Sequence, residues 1–383
     1  MVGDTPPDGI PPDDTATAGV RTDDARPDDT ATAGVRPDDA RPDDTATAGV
    51  RTDDALTDAV AQHPPPSARR RSTFDLQGRA APGLYLAAWA LAVAGLGSIF
   101  IAIASGGAGG SAGAFVLGIA GLGLGLTSGA GSQALQRRAD GAIYPGPSPV
   151  LVFLAALALT LVTGFVLVAL DVVPDAPAAV LVSVLIQAAI SVGLVALVVV
   201  SPGSLSWREM GLRLPRAGEG SVVADVAWGV ALAVPTLFGT LFLAAVLVAI
   251  LGVAPESPLP PSTDPAGLLV NLLAAAVIAP VWEELFFRGF TTTAWQRSAG
   301  ARAAIVRGAI FFALVHVITL VGSDFGTAVR TALIAFVIRL PVGLVLGWIF
   351  LRRRTLVAPI AMHAAYNVIP VLLVALGTGS APS

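Results

Sequence analysis

The stretch VLVFLAALALTLVTGFVLVAL, from Val150 to Leu170, runs for 21 residues without one charge. About 20 such residues are needed for a helix to cross the hydrocarbon core of a bilayer. Backbone polar groups in lipid must pair within the segment, so a helix is the form such a run takes. Read outward from there, the chain has eight more apolar spans, at about 84–104, 112–132, 178–200, 222–251, 267–294, 304–322, 328–351 and 356–377. The expected fold is an all-α polytopic membrane protein with about nine transmembrane helices. Composition agrees: charged residues are 13% and mean hydropathy is +0.74, whereas soluble domains carry about 25% charged residues.

The N-terminal part is different. Pro12-Asp-Asp-Thr-Ala-Thr-Ala-Gly-Val-Arg returns at Pro27 and at Pro42, giving three copies of a 15-residue unit. The unit has almost no large apolar residue, so stacked copies would bury nothing. Residues 1–80 are therefore expected to be a disordered acidic tail. Residues 1–82 hold 16 Asp against 9 Arg, and the remainder holds 14 Arg against 11 acids, so the acidity belongs to the tail. Nothing basic enough to bind nucleic acid is present, and no secretory signal is read ahead of the tail. With no Cys, a thiol nucleophile, a disulfide and a Cys-ligated metal are excluded.

Arginine placement sets the orientation. Arg69–Arg71 and Arg79, Arg137 and Arg138, Arg208, Arg213 and Arg216, Arg297, Arg302 and Arg307, and Arg352–Arg354 fall in alternate connections. The other connections carry Asp171, Asp175, Glu256, Asp264 and Asp324, with Arg330 at the edge of a span. This alternation follows the positive-inside rule, with the N-terminus cytoplasmic in a multi-pass cell-membrane protein. Gly121, Gly125 and Gly129 share one face of the second span and predict close helix packing. Trp207 to Arg213 reads as a surface helix anchored at the cytoplasmic interface.

Three places put ionisable or amide groups into apolar helices, where they are costly and mark function. The sixth span contains Pro280-Val-Trp-Glu283-Glu284-Leu-Phe-Phe-Arg288. Glu284 and Arg288, at i and i+4, share a face and can pair. Glu283 points about 100° away, without a local counter-ion. The desolvated Glu283 carboxylate is then the better base. The seventh span has Phe312 and His316 four apart, and the ninth has His363 and Asn367 four apart. Two donors stacked on one face suit an oxyanion developing on a scissile carbonyl. His316 and His363 each lie nine residues beyond an Arg, and Glu283 lies 14 before Arg297. Those spacings are ~13 Å and ~21 Å of helix, which lets all three motifs meet in the cytoplasmic half of the membrane.

Glu283-Glu284-x-x-x-Arg288, Phe312-x-x-x-His316 and His363-x-x-x-Asn367 resemble the CPBP family, the CAAX-processing and bacteriocin-processing intramembrane proteases, also called the Abi family. Gly343 to Gly347 and Leu356 to Ile360 add to the likeness, which covers about 205–372. It divides the chain into the tail (1–80), N-terminal transmembrane helices (81–204) and a protease-like core (205–377). The resemblance implies a peptidase acting on a peptide or membrane-protein substrate within the lipid bilayer. Glu283 would activate the water with His316 orienting it, and His363 and Asn367 would form the oxyanion hole. Glu284 and Arg288 would pair, with Phe312 in support. Family members in eukaryotes cut prenylated C-terminal peptides. All 23 basic residues here are Arg, a coding bias that suggests a prokaryotic owner without protein prenylation, so the substrate does not transfer with the fold.

Other chemistries compete. Metal-free chemistry is the preferred expectation, with no cofactor. Zinc held by Glu283, His316 and His363 is the alternative, in a two-His, one-carboxylate site with an open water position. Gly109-Gly-Ser111-Ala-Gly113 matches a serine-nucleophile pattern, but 41 Gly make such a match cheap, and it falls in an outer connection. A non-catalytic immunity or scaffold protein is the reading from a different class. Arg339, two residues before Pro341 in the eighth span, is expected to pair with Asp324 or with the carbonyls that the proline frees, or else to bind a substrate carboxylate.

Overall fold

A computed structural model describes residues 75–106, 111–172, 178–215, 221–253, 264–318 and 324–378. The repeats of the tail, and Gly109 of the serine-type match, lie outside them. No strand occurs among the described residues. The helices are α1 (Pro82–Ala104), α2 (Ser111–Ala139), α3 (Pro149–Ala169), α4 (Ala178–Val200), α5 (Val222–Leu251), α6 (Pro265–Val315), α7 (Phe325–Arg353) and α8 (Val357–Thr378). The first seven are long and apolar enough to cross a membrane, and the apolar part of α8, Val357–Leu373, is shorter. Gly300 breaks the 51-residue α6 with φ 83° and ψ 168°. Its two limbs carry the sixth and seventh expected spans, so each of the nine apolar runs holds a helix among the described residues.

Local chemistry sets the helix ends. Pro82, Pro149 and Pro265 open α1, α3 and α6, where a missing N–H costs nothing. Ser221, Asp264 and Asp324 cap α5, α6 and α7 by accepting from backbone N–H groups at 3.1, 2.8 and 3.0 Å. Gly252 and Arg354 close α5 and α7 in the left-handed region.

The glycine face of α2 does pack closely, against α1. A Cβ on Gly95 would fall 2.6 Å from the Gly118 carbonyl oxygen, and one on Gly125 would fall 2.9 Å from the Ala92 nitrogen. Near the start of α5, Asp225 is 1% exposed and accepts from Arg353 Nε at 2.5 Å and Thr355 Oγ1 at 2.7 Å. This buried lock ties α5 to the α7–α8 corner.

The segment from Trp207 to Arg213 differs from expectation. It is a series of turns, not a surface helix. Gly203 and Gly211 adopt φ 74° and 83°, which breaks helical continuity. Leu205 and Met210 are fully buried, and Leu356 N–H bonds to the Gly211 carbonyl at 3.0 Å. The segment is thus wedged into the bundle. Glu209 stays outside, accepting from Ser206 N–H and Arg297, both at 2.7 Å. The Ser206 N–H, with Arg297 second, holds its carboxyl down at about 2.

A knot of Phe rings carries the site. Phe287 lies 5.2 Å from Phe286, 5.7 Å from Phe311 and 5.3 Å from Phe312, edge to face. Phe286, Phe287, Phe290 and Phe312 are buried. They fix the first limb of α6 against the second.

Candidate active site

The helix that carries the two glutamates changes its winding on both sides of them. Leu273–Ile278 and Leu285–Thr292 are π-helical, and Ala279–Glu284 between them is α-helical. Each π segment adds a residue to its turn and re-aims the side chains beyond it.

Glu284 is fully buried. Its Oε1 accepts from Arg288 Nη1 at 2.9 Å and from His363 Nδ1 of α8 at 2.8 Å. A carboxylate that already accepts from a guanidinium offers no proton, so Nδ1 of His363 carries the hydrogen. Arg288, 2% exposed, also lies 4.4 Å above the Phe312 ring. The i, i+4 pair expected from the sequence is therefore present, and it anchors a helix from elsewhere in the chain.

Glu283 faces the other way. Its Oε2 stands 3.8 Å from His316 Nε2 and 3.9 Å from His363 Nε2. That oxygen is buried and accepts no hydrogen bond from the described residues. His316 Nδ1 lies 2.6 Å from the Phe312 carbonyl, an acceptor only, so Nδ1–H donates and Nε2 presents a lone pair toward Glu283. The Phe312 ring packs on both imidazoles, at 4.5 and 5.9 Å.

The helix of the seventh span ends at Val315, with His316 as the capping residue and a turn through Ile318; residues 319–322 of the expected span lie outside the described ones. Backbone released from a helix at this depth is tolerated where it is packed in protein or lines a wet cavity.

Glu283, Glu284, Arg288, Phe312, His316 and His363 therefore come together from three segments. Asn367 lies one turn along α8 from His363, but its Nδ2 donates to the Ala275 carbonyl of α6, at 2.8 Å. Arg339 donates from Nη1 to the Ala335 carbonyl at 2.9 Å, a different acceptor from the Val337 carbonyl that Pro341 frees, and interacts electrostatically with Glu283. Glu283, His316 and His363 converge as the zinc alternative requires. Yet no group of three or more His, Asp or Glu among the described residues is arranged to hold a metal ion. Sequence reasoning missed Tyr366, which interacts with Arg339 beside the site. It also missed Asp225, whose signal was available: a lone acid in the first turn of an apolar span.

With this geometry in place, a scan of family models gives the decisive match, at residues 265–369, to "Type II CAAX prenyl endopeptidase Rce1-like". Over these residues, about a quarter of the chain, the protein is similar to the Rce1-like CAAX endopeptidases. All three motifs fall inside the matched residues, and the helices α1–α5 fall outside them. No curated protein and no solved structure matches the chain. The protein is a multi-pass membrane protein with a CAAX-protease-like segment in α6–α8.

Proposed function

We propose that this protein is an intramembrane endopeptidase that hydrolyses a peptide bond near the cytoplasmic face with a water activated by Glu283. One observation carries the reading: the unpartnered Glu283 Oε2 faces two imidazole Nε2 atoms at 3.8 and 3.9 Å. Those separations exceed a direct hydrogen bond and suit groups that share a bridging water. Glu283 takes a proton from that water, while His316 Nε2 accepts from its other hydrogen and aims it. The hydroxide adds to the scissile carbonyl carbon. His363, held through Nδ1 by Glu284, turns Nε2 to the oxyanion and donates from an N–H there. Glu283 then passes its proton to the leaving amine, the C–N bond breaks, and the carboxylate is restored.

The division of labour follows from burial. Glu284 is committed to two donors and serves to hold His363, which leaves Glu283 to react. The substrate is a peptide or membrane protein reached from within the bilayer, and the family's name points to C-terminal CAAX-type sequences. Quantitative proteomics of membrane-protein termini tests the reading, comparing cells with the wild type and with Glu283→Gln. Loss of a defined set of new termini is expected. Identical termini, with the variant expressed and folded, would remove the protease reading.

A further inference from the structure

We infer that Asn367 is a positioning residue, which fixes the winding of α6 by capping the one backbone carbonyl that Pro280 leaves without a partner. The catalytic part of this inference rests on the proposed role of Glu283.

The argument begins with hydrogen-bond accounting, since a buried carbonyl in an apolar setting must be paired. In an α-helix the Ala275 carbonyl would accept from the N–H of residue 279. That N–H instead bonds to the Ala274 carbonyl, five residues back, as the π winding demands. In the π-helix the partner would be residue 280, and Pro280 has no N–H. Both intrahelical partners of Ala275 are therefore lost. The carboxamide of Asn367 supplies the missing donor at 2.8 Å, across 92 residues of sequence.

The consequence for Glu283 is one of angle. One residue of helical register is about 100° of rotation. If the segment Leu273–Ile278 rewinds, Glu283 turns away from the two imidazoles. α8 thus grips α6 at two points one turn apart, His363 on Glu284 and Asn367 on Ala275. One hydrogen of the Asn367 carboxamide is thus committed to a backbone acceptor, and the second stays available to the site.

The test uses the full chain in liposomes, as Asn367→Ala, Asn367→Asp, Pro280→Ala and the Pro280→Ala/Asn367→Ala double variant. Pro280→Ala returns an N–H to the helix and should make Asn367 dispensable. Three readouts apply: the thermal midpoint, backbone amide exchange over 276–284, and kcat and KM. The probe for the last is an internally quenched peptide with a prenylated Cys three residues before its C-terminus.

Asn367→Ala is expected to lower the midpoint by several degrees and speed exchange over 276–284, and Asn367→Asp to do more, since it sets acceptor against acceptor. In the Pro280→Ala background both costs should largely vanish. kcat should recover at least about tenfold over Asn367→Ala, with KM little changed. Additive midpoints with unaltered exchange would overturn the inference. So would an equal loss of kcat in both backgrounds, which would assign Asn367 to the oxyanion. If Pro280→Ala is itself inactive, the coupling of midpoint and exchange decides. If the wild type leaves the peptide uncut while those two readouts couple, the proposed reaction on this substrate fails and the positioning inference stands.

Discussion

The α1–α2 pair and the α6–α8 cluster solve the same problem, holding helices together in lipid, by opposite means. α1 and α2 remove side chains until backbones touch, at Gly95, Gly118, Gly121 and Gly125. α6 and α8 bury Glu284, Arg288 and His363, half-bury Glu283 and His316, and then satisfy only some of their polar atoms. Glu283 Oε2, Glu284 Oε2 and Arg288 Nη2 are buried polar atoms without a partner among the described residues. Lipid gives no hydrophobic reason to choose the second solution over the first. The half-satisfied cluster is the one that lies in the endopeptidase-matched segment, and the contrast separates packing from chemistry.

The sharpest way to break the comparison is Glu283→Gln. It should lower cleavage by at least ~10³-fold while the thermal midpoint stays near wild type, because Glu283 Oε2 accepts no hydrogen bond from the described residues. Retained cleavage would return the cluster to the packing side. Next comes Arg288→Met. It leaves Glu284 buried without its cation and should destabilise the protein by about 3–5 kcal/mol, read by denaturation in detergent. Gly118→Val follows: the added side chain must part α1 from α2, at about 1–3 kcal/mol, with cleavage per folded molecule unchanged. Loss of cleavage there would mean that the glycine pair takes part in the reaction after all.

The smallest stability effect belongs to Glu209. Its pKa is depressed, so its stabilisation is present above the ordinary carboxylate value of about 4.3 and fades as pH falls toward about 2. Side-chain exposure of 46% screens the Arg297 pair, and Glu209→Gln should cost no more than ~1 kcal/mol at neutral pH. Finally, exhaustive chelation should leave the cleavage rate unchanged. A loss restored by zinc would replace the glutamate-water chemistry with the metal alternative at the same three side chains.

Much of this was legible from the residues alone. Uncharged 20-residue runs and i, i+4 pairs are local signals, so the helices and the Glu284–Arg288 and Phe312–His316 contacts could be read directly. The wedge at Met210 could not, because Trp and Arg look the same on a surface helix as on a turn whose apolar neighbours are buried. Nor could the two π segments, although Pro280 marks where one of them loses a hydrogen bond. The direction of Asn367 was hidden for the same reason: its acceptor exists only once α6 has been wound.

The second limb of α6 has a consequence outside the protein. Helical from residue 301 to Val315, it measures ~22 Å along its axis, against a hydrocarbon thickness of ~30 Å. A limb that starts at the boundary marked by Arg297 and Arg302 therefore ends short of the far boundary, and His316, which caps it, stands inside the apolar layer. On the proposed reading, a membrane-bound peptide would meet its water at that depth without leaving the lipid phase.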